Sequence, residues 1–238
     1  MKDTLANKLR NILPVKSCGA VIVAAGTASR MGGIDKVMAP LQGEPMILRT
    51  VRAFQESPVI SQIVIVTRQD LVDTIRELCA DMDKVAAVVV GGSDRQGSVE
   101  AGLQALSPKL RMAAIHDGAR PMISQEVIDR TVRAAHSYGA AAPAIPVKDT
   151  VKTVKGGIVT DTPDRSCLFA VQTPQVFDKD LLAGALQKVR NDEATITDDC
   201  SAVERMGMSV RIVEGDERNL KVTTPMDLKV AQMLLEEM

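Results

Sequence analysis

Tryptophan is absent, tyrosine occurs once and phenylalanine three times, so aromatic residues make up only 2% of the 238. The ring platforms on which single-stranded nucleic acid stacks are therefore scarce. A formal net charge of -1 supplies no overall basic field for a phosphate backbone either, and nucleic-acid binding is set aside. No apolar run approaches the ~20 residues that a membrane-spanning helix needs. The opening MKDTLANKLRNILPVK lacks both the apolar core and the small-residue cleavage site of a secretory leader. The expectation is a cytoplasmic protein with no membrane partner. Histidine occurs twice, and Cys18, Cys79, Cys167 and Cys200 are scattered with no C-x-x-C pair and no histidine neighbours. Neither a zinc site nor a dithiol redox motif is supported, and the cysteines read as reduced, partly buried thiols.

What is present is a globular composition, 45% hydrophobic and 25% charged. The length suits one α/β unit with a small appendage. Residues 2 to 13 fit a short amphipathic helix with Leu5, Leu9 and Ile12 on one side, ended by Pro14, so residues 1–17 read as an extension outside the core. Apolar runs of strand length follow at Ala20 to Ala24, Ile63 to Thr67, Val85 to Val90, Ala113 to His116 and Ala140 to Ile145. Their continuous apolarity suits strands buried on both faces of a mainly parallel sheet. Helix starts are marked by Pro45, by Ser124, by Asp178 before LLAGALQKV, and by Thr224, Pro225 and Asp227, which resemble a capping box with proline at its first position. Strand, helix, strand order implies a doubly wound sheet whose ligand crevice lies beyond the carboxyl ends of its strands. One segment breaks the order: 146–165, PVKDTVKTVKGGIVTDTPDR, reads as two polar, β-branched strands joined at Gly156 and Gly157. A lone hairpin is marginal in water and needs something to lie against, for which a second subunit is the natural candidate.

The candidate chemistry lies in the loops after the strands. AAGTASRMGGIDK combines small residues, which let backbone N–H groups approach a ligand, with Arg30 and Lys36, as a triphosphate cradle would. It fits neither the G-x-G-x-x-G nor the Walker pattern; an ordinary glycine turn with surface cations is the alternative. GGSDRQGSV places two glycines before a helix start, where exposed backbone could read the edge of a base. There Ser98 is either a ligand or a helix-entry hydroxyl, and Arg95 either a ligand or a solvated charge. HDGARP puts His116, Asp117 and Arg120 where the crevice should be, and a carboxylate beside phosphates suggests a hard cation, most simply Mg²⁺. His116 invites a general-base reading, but a strand-end histidine held by hydrogen bonds is favoured. His136, on a helix with no companion ligand, reads as structural or exposed. TITDD reads as a capped helix entrance with Thr197 as the cap and Asp198 on the first turn. Lys221, read as lying in a short apolar strand before TTP, needs an anionic partner or an exit to water.

Taken together, AAGTASRMG, GGSDRQGSV, HDGARP, PVKDTVK, QTPQVF, TITDD and NLKVTTPMDL, in that order over about residues 18 to 236, closely resemble the 2-C-methyl-D-erythritol 4-phosphate cytidylyltransferases. The resemblance implies a three-layer, Rossmann-like nucleotidyltransferase fold with a mainly parallel mixed sheet and a protruding β-arm. It implies one domain over 18–238, and a homodimer built through the arm at 146–165. It implies that Ala24, Ala25, Gly26, Arg30 and Lys36 surround the phosphates of CTP, that Gly92, Ser93 and Ser98 recognise cytosine, and that Asp117 and Lys221 serve the reacting centre. Thr150 and Arg165 would help hold the methylerythritol phosphate of the neighbouring subunit, with Arg120, Thr173 and Thr197 nearby.

Three positions depart from that family's pattern: Ala28 stands where a second loop glycine is common, Asp35 replaces a proline before Lys36, and Gly97 replaces an acidic residue before Ser98. None removes a proposed charged ligand. The nucleophile would be a phosphate oxygen, already anionic, so no strong base is required. The site must instead place two repelling anions in line and neutralise charge at the α-phosphate and the departing pyrophosphate. Arg30 and Lys36 are assigned to the triphosphate, Lys221 to the α-phosphate, and Asp117 to metal or water ligation. The alternatives are a ribitol 5-phosphate cytidylyltransferase and a noncatalytic nucleotide-binding regulator on the same scaffold.

Overall fold

The computed structural model describes residues 18–26 and 36–237; the expected helix over residues 2 to 13, together with Ala28, Arg30 and Asp35, lies outside them. In chain order the elements are β1 Cys18–Val23, β2 Pro40–Leu41, β3 Glu44–Pro45, α1 Met46–Glu56, β4 Ile60–Thr67, α2 Val72–Leu78, β5 Val85–Val90, α3 Arg95–Ala105 and β6 Met112–Asp117. After them come α4 Gln125–Tyr138, β7 Ala140–Pro146, β8 Thr153–Lys155, β9 Ile158–Asp161, β10 Phe169–Val171, β11 Gln175–Asp178, α5 Lys179–Asn191, α6 Asp199–Glu204, β12 Arg211–Glu214 and α7 Pro225–Glu236.

The main sheet runs β10-β7-β11-β6-β1-β4-β5, with β12 added alongside β7. β6, β1, β4 and β5 are parallel neighbours, β11 pairs antiparallel with β6 and β7, and β12 pairs parallel with β7. The sheet is thus mixed and mostly parallel. Period-two alternation sends Cys18, Ala20 and Ile22 of β1 to one face, against Phe54 and Val51 of α1, Ile75 of α2 and Val132 of α4. Val21, with Val64 and Val66 of β4, faces the other way, toward Val99 and Leu103 of α3 and Leu182 and Leu186 of α5. Both faces are buried, so the strands read as continuous apolar runs, and each fully buried Val or Ile contributes roughly 1.5–3 kcal/mol. This is the three-layer arrangement. β5 differs from expectation: as the sheet's edge strand it is only partly covered, and Val90 is exposed.

Caps fall where local chemistry puts them. Ser124 accepts from Val127 N, and Asp178 from the first turn of α5. Thr224 and Asp227 form a reciprocal capping box with Pro225 at the first helical position. Pro45 precedes α1 rather than entering it, because it is also paired in the β2-β3 hairpin. β1 lies between β6, reached last among the four parallel strands, and β4, reached first after it. The connections leaving β1 and β6 therefore diverge, which opens a crevice at their carboxyl ends. The segment 153–161 is a two-stranded hairpin separate from the main sheet, turning at Gly156 and Gly157 with φ of 57° and 80°. Positive φ at both central positions is what a tight hairpin turn demands, and glycine adopts it without strain.

Candidate active site

Where the crevice is expected, a cavity of about 420 Å³ is lined by Ala24, Ala25, Gly26, Lys36, Gly92, Ser93, Arg95, Ser98, Asp117, Lys221 and others. The walls are held to the strand ends by backbone bonds. Ala24 N donates to Val66 O at 2.7 Å, Gly91 N to Thr67 O at 2.8 Å, and Gly118 N to Val23 O at 2.8 Å. The loop after β5 folds tightly against its neighbours. A Cβ on Gly91 would lie 2.5 Å from the Ala25 Cβ and 2.7 Å from Ser98 Oγ, and one on Gly92 would lie 2.7 Å from the backbone of Gly97. The two loops can approach only because these glycines carry no side chain. Asp94 caps α3, accepting from Gly97 N at 2.6 Å, while Ser98 Oγ donates to Asp94 O at 2.9 Å. Ser98 therefore bonds within its helix entrance and also lines the cavity.

The floor is built on Asp117, at the end of β6. Its Oδ2 lies 2.9 Å from Lys221 Nζ and 3.4 Å from Arg120 Nε. Burial alone would raise its pKa; Lys221 and Arg120 outweigh burial and hold it at about 2. Lys221 thus has the anionic partner that its setting requires. It does not lie in a strand, as expected from the sequence: the apolar residues around it are drawn inward because Val222 N donates to Ala119 O at 2.9 Å and Val222 packs beneath α7. Arg120 is not among the residues lining the cavity, and it donates from Nη1 to Asn219 O at 2.7 Å.

His116 is fully buried. Its Nε2 lies 3.3 Å from Arg120 O, which can only accept, so Nε2 carries the ring proton. Nδ1 then accepts from Thr173 Oγ1 at 3.0 Å, and that oxygen in turn accepts from Asp117 N at 3.1 Å. Burial drives the pKa down to about 3, so the ring is neutral with both nitrogens engaged in holding the loop. That arrangement matches the hydrogen-bonded reading of His116 and leaves no free nitrogen for a base.

Of the other positions singled out in the sequence, Thr173 is buried in this network, while Thr150, Arg165 and Thr197 are exposed and do not line the cavity. Thr197 is not a cap: Asp198 takes that place, accepting from Ser201 N at 3.0 Å, and Asp199 begins α6. Arg165 donates to Lys148 O at 2.6 Å at the root of the hairpin. Burial lifts the thiols of Cys18 and Cys79 to about 12 and 11, which leaves them unreactive.

Sequence reasoning left Arg95 open. Its guanidinium makes two bonds, 2.8 and 2.7 Å, to the fully buried carboxylate of Asp199. Burial opposes the charge, but Asp199 outweighs it and holds the Arg95 pKa above its usual value. The pair ties the start of α3 to the start of α6. Gln175 completes the junction, donating to Asp198 and accepting from the N–H groups of Asp199 and Cys200.

Glycine-walled loops at the carboxyl ends of parallel strands, with paired cations on the floor, define a nucleotidyltransferase of Rossmann-like fold. The family model for 2-C-methyl-D-erythritol 4-phosphate cytidylyltransferase matches residues 18–237. A 2-C-methyl-D-erythritol 4-phosphate cytidylyltransferase from Symbiobacterium thermophilum is 47% identical over 91% of this chain and 92% of its own length. One from Caldanaerobacter subterraneus subsp. tengcongensis is 41% identical over 92% and 98%. The crystal structure of a 4-diphosphocytidyl-2C-methyl-D-erythritol synthase from Anaerococcus prevotii superposes with a TM-score of 0.85 at 31% identity, covering 93% of this chain and 99% of that one. The chain belongs to the 2-C-methyl-D-erythritol 4-phosphate cytidylyltransferase family.

Proposed function

We propose that the cavity binds CTP and that the chain transfers its cytidylyl group to 2-C-methyl-D-erythritol 4-phosphate, giving 4-diphosphocytidyl-2-C-methyl-D-erythritol and pyrophosphate. The observation that carries this reading is Lys221, held at the cavity by Asp117 at 2.9 Å. An ammonium so placed meets incoming phosphate charge without having to be gathered from solvent. An oxygen of the acceptor phosphate bonds to the α-phosphorus, and the bond from that phosphorus to the bridging oxygen breaks. Its electron pair leaves with pyrophosphate. Lys221 is assigned to the α-phosphate, Lys36 and Arg30 to the rest of the triphosphate, and the backbone around Gly92 and Ser93, with Ser98, to the cytosine edge.

Among the described residues there is no group of three or more His, Cys, Asp or Glu side chains suited to a metal ion. Mg²⁺ does not need one, since phosphates and waters supply most of its ligands, and Asp117, held ionised at the floor, fits the part of the single carboxylate. A bound Mg²⁺ would neutralise phosphate charge. Arg120, Thr173 and Thr197 are assigned to the acceptor side, completed by Thr150 and Arg165 from the arm of a second subunit in a homodimer. Among the described residues no helix is long and apolar enough to cross a membrane, and a cytoplasmic site of action accords with the two small, highly charged substrates.

Pyrophosphate release tests the assignment. CTP with methylerythritol phosphate is expected to be the productive pair, while UTP, or ribitol 5-phosphate as acceptor, turns over poorly. Equal turnover with ribitol 5-phosphate would move the assignment to that acceptor, and nucleotide binding with no turnover on either would make the protein a regulator.

A further inference from the structure

The loop between β12 and α7 carries Lys221, and its shape is set by a residue that does not line the cavity. Asn219 is fully buried. Its Nδ2 donates to Thr173 O at 2.9 Å and to Gln172 Oε1 at 3.3 Å, and its own carbonyl receives Arg120 Nη1 at 2.7 Å. Gln172 grips the same loop a second time, accepting from Asp216 N at 3.2 Å and donating to Asp216 O at 2.8 Å. Two residues beyond Asn219, Lys221 reaches Asp117, and Val222 N is fixed to Ala119 O. The side-chain amide thus joins the loop that delivers Lys221 to the 172–173 segment, and the main-chain carbonyl of the same residue seats Arg120. Its Nδ2 faces two oxygens, so only a donor satisfies the geometry, and aspartate would put a carboxylate against both.

We propose that Asn219 is a positioning residue that sets Lys221 and Arg120 around Asp117, and so governs the transfer step but not the capture of CTP. The proposal rests on the functional reading above. Among the described residues the hydrogen bonds of Asn219 run to Thr173, Gln172, Arg120 and Asp216, and not to Gly92, Ser93 or Ser98, which are assigned to the base. Truncating Asn219 leaves the Thr173 carbonyl without that donor and loosens the loop between its ties at Asp216 and Val222, while the cytosine wall stays as it was.

The test is a cycle of Asn219→Ala, Lys221→Ala and the double variant, scored by pyrophosphate release and by CTP binding without acceptor. Asn219→Ala is expected to lower kcat about tenfold or more with CTP affinity within about twofold of wild type, and to lose most of that effect once Lys221 is gone, because residues acting as a unit are non-additive. A purely structural role would give the same fold loss in both backgrounds. Equal losses, or CTP affinity falling as far as turnover, would overturn the proposal. Should Asn219→Ala not fold, Gln172→Met, which keeps the volume but removes the second acceptor together with both bonds to Asp216, is expected to show the same split, turnover falling further than CTP affinity. A readout free of turnover separates this claim from the functional reading. The isotope-labelled dimethyl-lysine resonance of Lys221 is expected to move in Asn219→Ala toward its position in Asp117→Asn, and an unmoved resonance would refute positioning even if no substrate pair were active.

Discussion

The floor of the cavity and the hairpin arm invert the usual placement of side chains, polar groups being buried in one and apolar groups exposed on the other. On the floor, Asp117, His116, Thr173 and Asn219 are all buried, and each makes the bonds described above to other parts of the same chain. On the arm, Val154, Ile158 and Val159 are 54% exposed or more, and Phe169 and Val171 of β10, paired with the end of β7 from which the arm leaves, are exposed as well. The chain satisfies the polar groups of its floor from within, and leaves several apolar side chains of an otherwise polar arm in water. Exposed apolar surface of this kind marks an interaction site, and a two-stranded hairpin gains its stability from what it packs against.

Breaking the floor is expected to have the largest effect. Lys221→Ala and Lys36→Ala should each lower turnover by on the order of 10²-fold or more, since both are assigned to phosphate charge, and Lys221→Ala should also cost stability because it takes the nearer cation from the buried Asp117 carboxylate. Near-normal turnover in folded variants would shift the chemistry to other groups. Separating the walls comes next. Asp199→Asn leaves the Arg95 guanidinium without its charge partner, and breaking a buried pair costs up to about 3–5 kcal/mol, less here because the Arg95 side chain is 33% exposed. Denaturant unfolding measures the loss, and an unchanged midpoint would mean that the pair holds nothing together.

These two regions also differ in how much the sequence discloses. The cradle glycines, the strand-end HDGARP and the hairpin turn were legible because glycine, charge and β-branching act locally. The Arg95–Asp199 pair was not, since it spans 104 positions and either residue alone reads as an ordinary surface charge. Asn219 is hidden for a similar reason: a single asparagine beside a lysine gives no hint that its amide is buried between Thr173 and Gln172. Thr197 and Asp198 are adjacent and both competent caps, and the choice between them was made by Gln175, which bonds the Asp198 carboxylate and the amides that follow it. β10, β11 and β12 are short, and their pairing with β7 and β6 depends on strands far away in sequence.

A smaller effect should appear in the pH dependence of stability. His116 has a folded pKa of about 3 against ~6.5 for an unfolded histidine, so below ~6.5 the unfolded chain binds the proton more tightly. Stability is then lost as pH falls from ~6.5 toward 3, with a slope of up to ~1.4 kcal/mol per pH unit from this group. Asp117, depressed to about 2, contributes stability that is present above ~3.9 and is lost only as pH falls further toward 2. Urea unfolding between pH 7 and 5 checks the histidine component: His116→Asn should flatten the slope, and an identical slope in variant and wild type would contradict the assignment.

The contrast between a satisfied floor and an exposed arm is tested most directly by mixing two inactive proteins, Arg165→Ala and Lys36→Ala, and following pyrophosphate release after subunit exchange. If the arm completes the site of its neighbour, each mixed dimer contains one site with both residues intact, and activity returns in proportion to the mixed fraction. If exchange is confirmed by mass and no activity returns, the arm serves its own subunit or none, and completion of the site across a dimer is wrong.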